Sequence, residues 1–461
     1  MRSCLLLPER WGNKMDTPVC DFVRSYAERN AVRLHMPGHK GNGNLGIEHL
    51  DITEINGADS LYEASGIIYR SEENASRLFG CKTFFSTEGS SQCIRAMLYL
   101  AMLYAKEQGR QPLIAAARNV HKTFLSAAAL LDLDVMWLYP TRTESYLACH
   151  ISPEELETAL CYAVQKPAAL YLTSPDYLGN LADIAGISEV CHRYGVLLLV
   201  DNAHGAYLRF LNPSLHPIDL GADLCCDSAH KTLPVLTGGA YLHLSASVEN
   251  RLAEQGKHAL ALFGSTSPSY LILQSLDSVN VYLDGYSEKL CDFLVLVNGL
   301  KRDLEAQGYC LTGQEPLKIT ISVKSYGYTG TELSDILLDQ NIVCEFADPD
   351  FLVLMLTPEI GAEGIRRLRD ALLGIPEKNP LSLAQPPFQK GEKALSIRDA
   401  MFSSSEVIPI LDSQGRILAA PSVGCPPAVP ILVCGEKIDL CAVELFRYYG
   451  IQTISVVREN V

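Results

Sequence analysis

The chain has 461 residues, about three times a ~150-residue domain, so two or three units with substantial cores are expected. Hydrophobic residues at 48% and charged residues at 20% exclude a disordered or fibrous chain. With 38 basic and 53 acidic residues the formal net charge is −15, which disfavours non-specific binding to nucleic acid or acidic lipid and favours a cationic small molecule. No apolar run reaches ~18 residues, and Cys4-Leu5-Leu6-Leu7 ahead of Pro8 is too short for a secretory core, so a cytoplasmic protein without a membrane span is expected. The 15 cysteines are scattered without CxxC pairs and read as free thiols, mostly core residues, with no metal site.

In chain order, residues 1–66 read as an N-terminal arm. Asp16-Thr17-Pro18 after Met15 looks like a fresh N-terminus, so the residues before it are expected to be a mis-assigned start or a disordered tail. Residues 67–285 alternate. Short β-rich runs (Leu113–Ala116, Val135–Tyr139, Ala168–Thr173, Val196–Val200, Ala240–Leu244) are separated by helical periodicity, as in Ser91–Lys106 and Ile187–Tyr194. Strand, helix, strand in series predicts a mostly parallel sheet covered on both faces, with ligands beyond the carboxyl ends of its strands. Residues 286–375 read as a small α+β domain, with an amphipathic Leu290–Leu304, strands at Lys318–Val323 and Leu352–Leu356, and a closing helix at Gly364–Leu373. Residues 376–389, rich in proline and polar groups, are the expected linker, and 390–461 form a C-terminal α+β unit with a helix at Val443–Tyr449.

Four segments carry chemistry, each after a predicted strand. Thr87-Glu88-Gly89-Ser90-Ser91 leads into a helix, where free backbone N–H groups and the positive dipole end suit an anion. It lacks a Walker lysine and a GxGxxG, so nucleotide motifs do not apply. His121, in Arg118-Asn119-Val120-His121, could stack on an aromatic ligand or simply be a half-buried histidine. Asp201, in Val200-Asp201-Asn202-Ala203-His204-Gly205, is a carboxylate at the exit of an apolar strand; it suits a protonated ring nitrogen, or equally a turn cap. Lys231, in Ser228-Ala229-His230-Lys231, lies in the apolar half of the chain, where a depressed amine pKa would serve imine chemistry; taken alone it reads equally as a surface lysine on a loop.

As a set these segments resemble the fold-type I pyridoxal-phosphate enzymes, and among them the ornithine/lysine/arginine decarboxylase family of the short biosynthetic type. The resemblance extends to His35-Met36-Pro37-Gly38-His39-Lys40-Gly41, Asp51-Ile52-Thr53-Glu54, Ser174-Pro175-Asp176-Tyr177-Leu178-Gly179 and Ser265-Thr266-Ser267-Pro268. It implies pyridoxal 5'-phosphate as cofactor, with Lys231 joined to its aldehyde and Asp201 on its pyridine nitrogen. His204 would sit beside the ring and His121 on its face. Gly89, Ser90, Ser91, Ser228 and His230 would bind the phosphate. Thr266 and Ser267 would reach the phosphate of a partner subunit, so a homodimer or larger assembly is implied.

The implied reaction is decarboxylation of lysine, arginine or ornithine to the corresponding amine. An acidic side chain must then meet the distal cation, and Glu436 and Asp176 are the candidates. The segment Cys425-Pro426-Pro427-Ala428-Val429-Pro430 departs from the family pattern, which has an aromatic before the prolines and Gly-Ile after them. Aminotransferases and aldolases share the cofactor constellation, and Arg366, Arg367 and Arg369 could supply the carboxylate grip that an aminotransferase needs. A catalytically silent cofactor-binding homologue is the remaining alternative.

Overall fold

A computed structural model describes residues 15–140, 145–248, 250–421 and 427–459. Residues 1–14, and Cys425-Pro426 of the proline segment, lie outside the described residues. Seven strands form the main sheet: β1 (Lys82–Ser86), β2 (Leu113–Ala117), β3 (Asp134–Leu138), β4 (Ala169–Thr173), β5 (Leu197–Asp201), β6 (Leu224–Asp227) and β7 (Ala240–Leu244). Their order is β1-β7-β6-β5-β4-β2-β3. Only β7 runs antiparallel to its neighbours. This is the mostly parallel sheet expected from the alternation of strand and helix.

The apolar runs of these strands follow from burial on both faces. Along β5, Leu199 joins one hydrophobic cluster, while Leu198 and Val200 join the cluster on the opposite face. In β4, Ala169 and Tyr171 alternate with Leu170 and Leu172 in the same way. A strand with no wet face has no reason to alternate polar with apolar. The helix Gly89–Glu107 packs on one face and Ile184–Tyr194 on the other.

A second sheet, all antiparallel, has the order β10-β11-β9-β8, from β8 (Cys310–Thr312), β9 (Lys318–Ser322), β10 (Phe346–Ala347) and β11 (Phe351–Met355). The long helix Tyr286–Gln307 and the helix Gly361–Leu373 share its core. Near the C-terminus, β12 (Ser405–Pro409) pairs antiparallel with β13 (Thr453–Val457), beside the helix Leu440–Tyr448. Among the described residues, no helix is long and apolar enough to cross a membrane.

One buried cation fastens this C-terminal part to the main sheet. Arg118, just beyond β2, donates to the Pro430 and Ile431 carbonyls and pairs with Glu436 at 3.2 Å. Both side chains are about 5% exposed or less. Breaking such a pair from one side leaves a buried charge uncompensated. We therefore expect Arg118→Met to cost about 3–5 kcal/mol in urea unfolding, and the double variant with Glu436→Gln to recover much of that loss.

Candidate active site

The carboxyl ends of β2, β4, β5 and β6 converge on a cavity of about 320 Å³ whose lining includes His121, Thr173, Asp201, His204 and Lys231. Asp201 is the last residue of β5 and is 2% exposed. Its Oδ2 accepts from the Tyr171 hydroxyl at 2.9 Å, and its Oδ1 from the Ala203 N–H at 3.2 Å and the Cys226 thiol. Every one of these donors is neutral. Burial pushes the Asp201 carboxyl up, against the pull of Tyr171 and of the Lys231 charge. The carboxylate therefore has an electrostatic demand for a cation in the cavity that its hydrogen bonds do not meet.

Lys231 sits on the short helix Ala229–Thr232, directly after β6. Its Nζ lies 2.9 Å from His204 Nε2, and the other ring nitrogen, Nδ1, lies 2.9 Å from Nζ of Lys318. Burial first, then the charges of Lys231 and Lys318, hold His204 well below the ordinary histidine range. Gly205 follows because a Cβ there would collide with the Asn202 side chain.

His121 caps the helix Lys122–Leu131, its Nδ1 accepting from the Thr123 N–H. Burial and the charge of Lys231 lower it from 6.5 to about 4. Ser228 donates to Ser90 at 2.8 Å, and Ser91 bonds Thr123, so these hydroxyls gather where the helix Gly89–Glu107 begins. Gly89 takes φ +71°, a conformation that glycine adopts without strain, and no side chain caps the helix. His230 turns its Nδ1 to the Gly239 carbonyl at 2.9 Å. Thr266 and Ser267 lie on an exposed loop and do not line the cavity.

The two carboxylates expected at the distal end of a substrate are engaged elsewhere. Asp176 is 4% exposed, and its Oδ1 accepts from the Leu178 and Asn180 N–H groups while its Oδ2 takes the Asn180 amide. It is the clasp of its own turn. Glu436 is the partner of Arg118 described above and also accepts from the Val433 N–H. Neither lines the cavity. The acidic side chain that does so, besides Asp201, is Glu345, at the threshold of β10, whose Oε1 accepts from the Tyr177 hydroxyl at 2.8 Å.

Sequence reasoning missed Glu345, Lys318 and Tyr171. A lysine opening the otherwise apolar-and-hydroxyl run Lys318–Ser322 was the available signal for one of them. The arginines weighed for a carboxylate grip are not here either. Arg366 pairs with Glu363 and Asp370, Arg369 pairs with Asp303, and Arg367 reaches the Gln340 carbonyl. Among the described residues, no arginine lines the cavity. A larger cleft of about 820 Å³, past Ser145, His150 and Gln385, contains none of the residues assigned to the cofactor.

Comparison with known proteins identifies the chain as an amino-acid decarboxylase. The sequence profile of the Orn/Lys/Arg decarboxylase major domain matches residues 17–307, and the chain belongs to that family. It is 29% identical to an arginine decarboxylase of Bacillus subtilis, over 92% of this chain and 91% of the relative. It is 32% identical to the uncharacterized protein YaaO of the same organism, over 95% of each. The lysine decarboxylase LdcF of Francisella novicida superposes with a TM-score of 0.79 at 16% identity, over 97% of this chain and 82% of that one.

The depressed histidines predict a pH dependence of stability. Between pH 6.5 and about 4 the unfolded chain binds a proton at position 121 that the folded chain refuses, so stability falls as the pH drops through that window. His204 acts in the same direction. The raised carboxyls, Asp277 at about 6 among them, act in the opposite direction, so the comparison must be made against a variant. The wild type should lose about 3 kcal/mol more than His121→Gln on going from pH 7 to pH 4 in urea unfolding.

Proposed function

We propose that the protein uses pyridoxal 5'-phosphate to remove the α-carboxyl group of a basic amino acid, releasing CO2 and the corresponding amine. The observation that carries this reading is Asp201, a buried carboxylate with only neutral donors, facing the same small cavity as Lys231. When bound, the cofactor supplies a cationic ring that takes up the electron pair left by the departing carboxyl carbon. The residues present fit such a group. The Thr173 hydroxyl oxygen is buried at the cavity without a partner. An uncapped helix N-terminus with the Ser90–Ser228 hydroxyl pair suits a phosphate.

The chain's own contributions follow from position. Lys231 is the amine that would hold the aldehyde, and Asp201 would keep a ring nitrogen protonated by the attraction of its carboxylate. His121 presents a neutral imidazole, which adds no charge against the ring. His204 and Lys231, in hydrogen-bond contact, can return a proton to the α-carbon once CO2 has left. The absence of an arginine among the described lining residues favours decarboxylation over transamination, since no guanidinium there would retain the carboxylate.

Glu345 is our candidate for the substrate's distal ammonium or guanidinium, because it lines the cavity and Tyr177 orients it. A second copy of the chain would suit Val32, Leu34, Met36 and Leu45 of the arm, all at least 66% exposed, and would bring the Thr266-Ser267 loop toward another site. The products would be cadaverine, agmatine or putrescine.

A product assay on lysine, arginine and ornithine with added pyridoxal phosphate tests the reading, and amine and CO2 should appear without any keto acid. Lys231→Ala should abolish both turnover and the visible absorbance of bound cofactor while the chain stays folded; retained turnover would sink the assignment. Asp201→Asn should reduce kcat severely with cofactor still bound. Loss of the Glu345 charge should weaken a charge-assisted contact by about 1.5–3 kcal/mol. Glu345→Gln is therefore expected to raise KM for the preferred substrate about ten- to a hundredfold with little change in cofactor affinity.

A further inference from the structure

A second buried lysine reaches the site from the small sheet. Lys318 is the first residue of β9 and is 4% exposed. Its Nζ lies 3.2 Å from the Asp176 carbonyl, 3.4 Å from the Tyr177 carbonyl and 2.9 Å from His204 Nδ1. On the other side of the same imidazole, Nε2 lies 2.9 Å from Lys231 Nζ. Hydrogen-bond chemistry restricts what this row of three side chains can be. Carbonyls only accept, so two Lys318 hydrogens are committed to them. A neutral imidazole has one donor nitrogen and one acceptor nitrogen, and an ammonium cannot accept.

Two proton arrangements satisfy those rules. Either Lys318 is the ammonium, Nδ1 accepts from it, and Nε2–H donates to a neutral Lys231 amine; or Lys318 is the neutral amine and Lys231 carries the charge. The two interconvert by a pair of transfers that conserve every proton. Lys231 Nζ gives one to His204 Nε2, and His204 Nδ1 gives one to Lys318 Nζ. The surroundings bias the choice. Burial opposes charge on Lys318, but the carboxylates of Glu315, Asp176 and Glu345 all act to keep it protonated. The Asp201 carboxylate and the Lys231 charge also attract each other. His121 and His230, also near His204, are both held below the ordinary histidine range.

We propose that Lys318 is a positioning residue that stores, through His204, the proton that Lys231 must give up to become a nucleophilic amine. Charge then moves from one end of the row to the other without passing through solvent. Its bearing on turnover rests on the reading of Lys231 given above, but the arrangement itself can be tested on the full chain without cofactor.

The test is trace labelling of amines with acetic anhydride as a function of pH, read for the peptide containing Lys231 by mass spectrometry. In the wild type Lys231 should label as a largely neutral amine near pH 7. In Lys318→Met the proton has no store, and labelling at pH 7 should fall about tenfold, with the midpoint about one pH unit higher. Lys318→Arg, which donates to Nδ1 but never accepts, should keep the wild-type profile and guards against a Met variant that misfolds. Nitrogen-15 spectra of histidine-labelled wild type should find the His204 proton on Nε2. An unchanged profile in Lys318→Met, or a wild-type proton on Nδ1, would overturn the proposal. Either result would leave cofactor binding by Lys231, read by its absorbance, to stand or fall separately.

Discussion

A single buried carboxylate within the main sheet holds the strand ends that face the cavity in register. Asp227 ends β6 with no exposure to solvent. Its Oδ2 meets Nε2 of His216 and Nε2 of His243, each at 3.1 Å, and its Oδ1 accepts from the Asn202 amide at 2.7 Å. Burial alone would raise this carboxyl, but the two histidines prevail and hold it well below the ordinary carboxylate range. His243 lies on β7 and continues to Thr83 on β1 at 2.9 Å. Four strands are thus tied through one charge. Asn202 follows Asp201 and Ser228 follows Asp227, so the same ties set the spacing between the cavity's aspartate and its lysine.

The cavity is a joint product of three parts of the chain. The main sheet supplies Asp201, His204, Lys231 and His121, the small sheet supplies Glu345, and Pro427, Ala428 and Val429 close one side. That closure is fastened by Arg118 on the carbonyls of the next residues, Pro430 and Ile431, and by the Lys122 N–H on the Ala428 carbonyl at 2.8 Å. Residues far along the sequence therefore shape the cavity through docking. It also explains why Glu436 is unavailable to a substrate: its charge is spent on the docking itself.

Much of the fold was legible because each element follows a local rule. Five apolar runs marked strands, and the helix Gly89–Glu107 was announced by its glycine and serines and by its length. Strand ends read a residue or two off where a polar terminal residue such as Asp134 or Asp201 belongs to the ladder. Lys231, Asp201, His204 and His121 could be singled out because each lies directly after an apolar strand, where a polar side chain needs a reason to be.

The remaining assignments depended on partners distant in sequence. Glu436 has the right charge for a basic substrate, and nothing local reveals that it neutralises an arginine 318 positions away; Asp176, by contrast, is held within its own turn by Leu178 and Asn180. Glu345 and Lys318 look like surface charges in sequence, and only the packing of the small sheet against the main one brings them to His204 and Tyr177. Sequence alone determined the mostly parallel sheet and the decarboxylase family, and singled out the polar residues at its carboxyl edge, since periodicity and residue type act over a few residues. Which charges are free to meet a ligand was decided by tertiary structure, because a buried charge takes its partner through space.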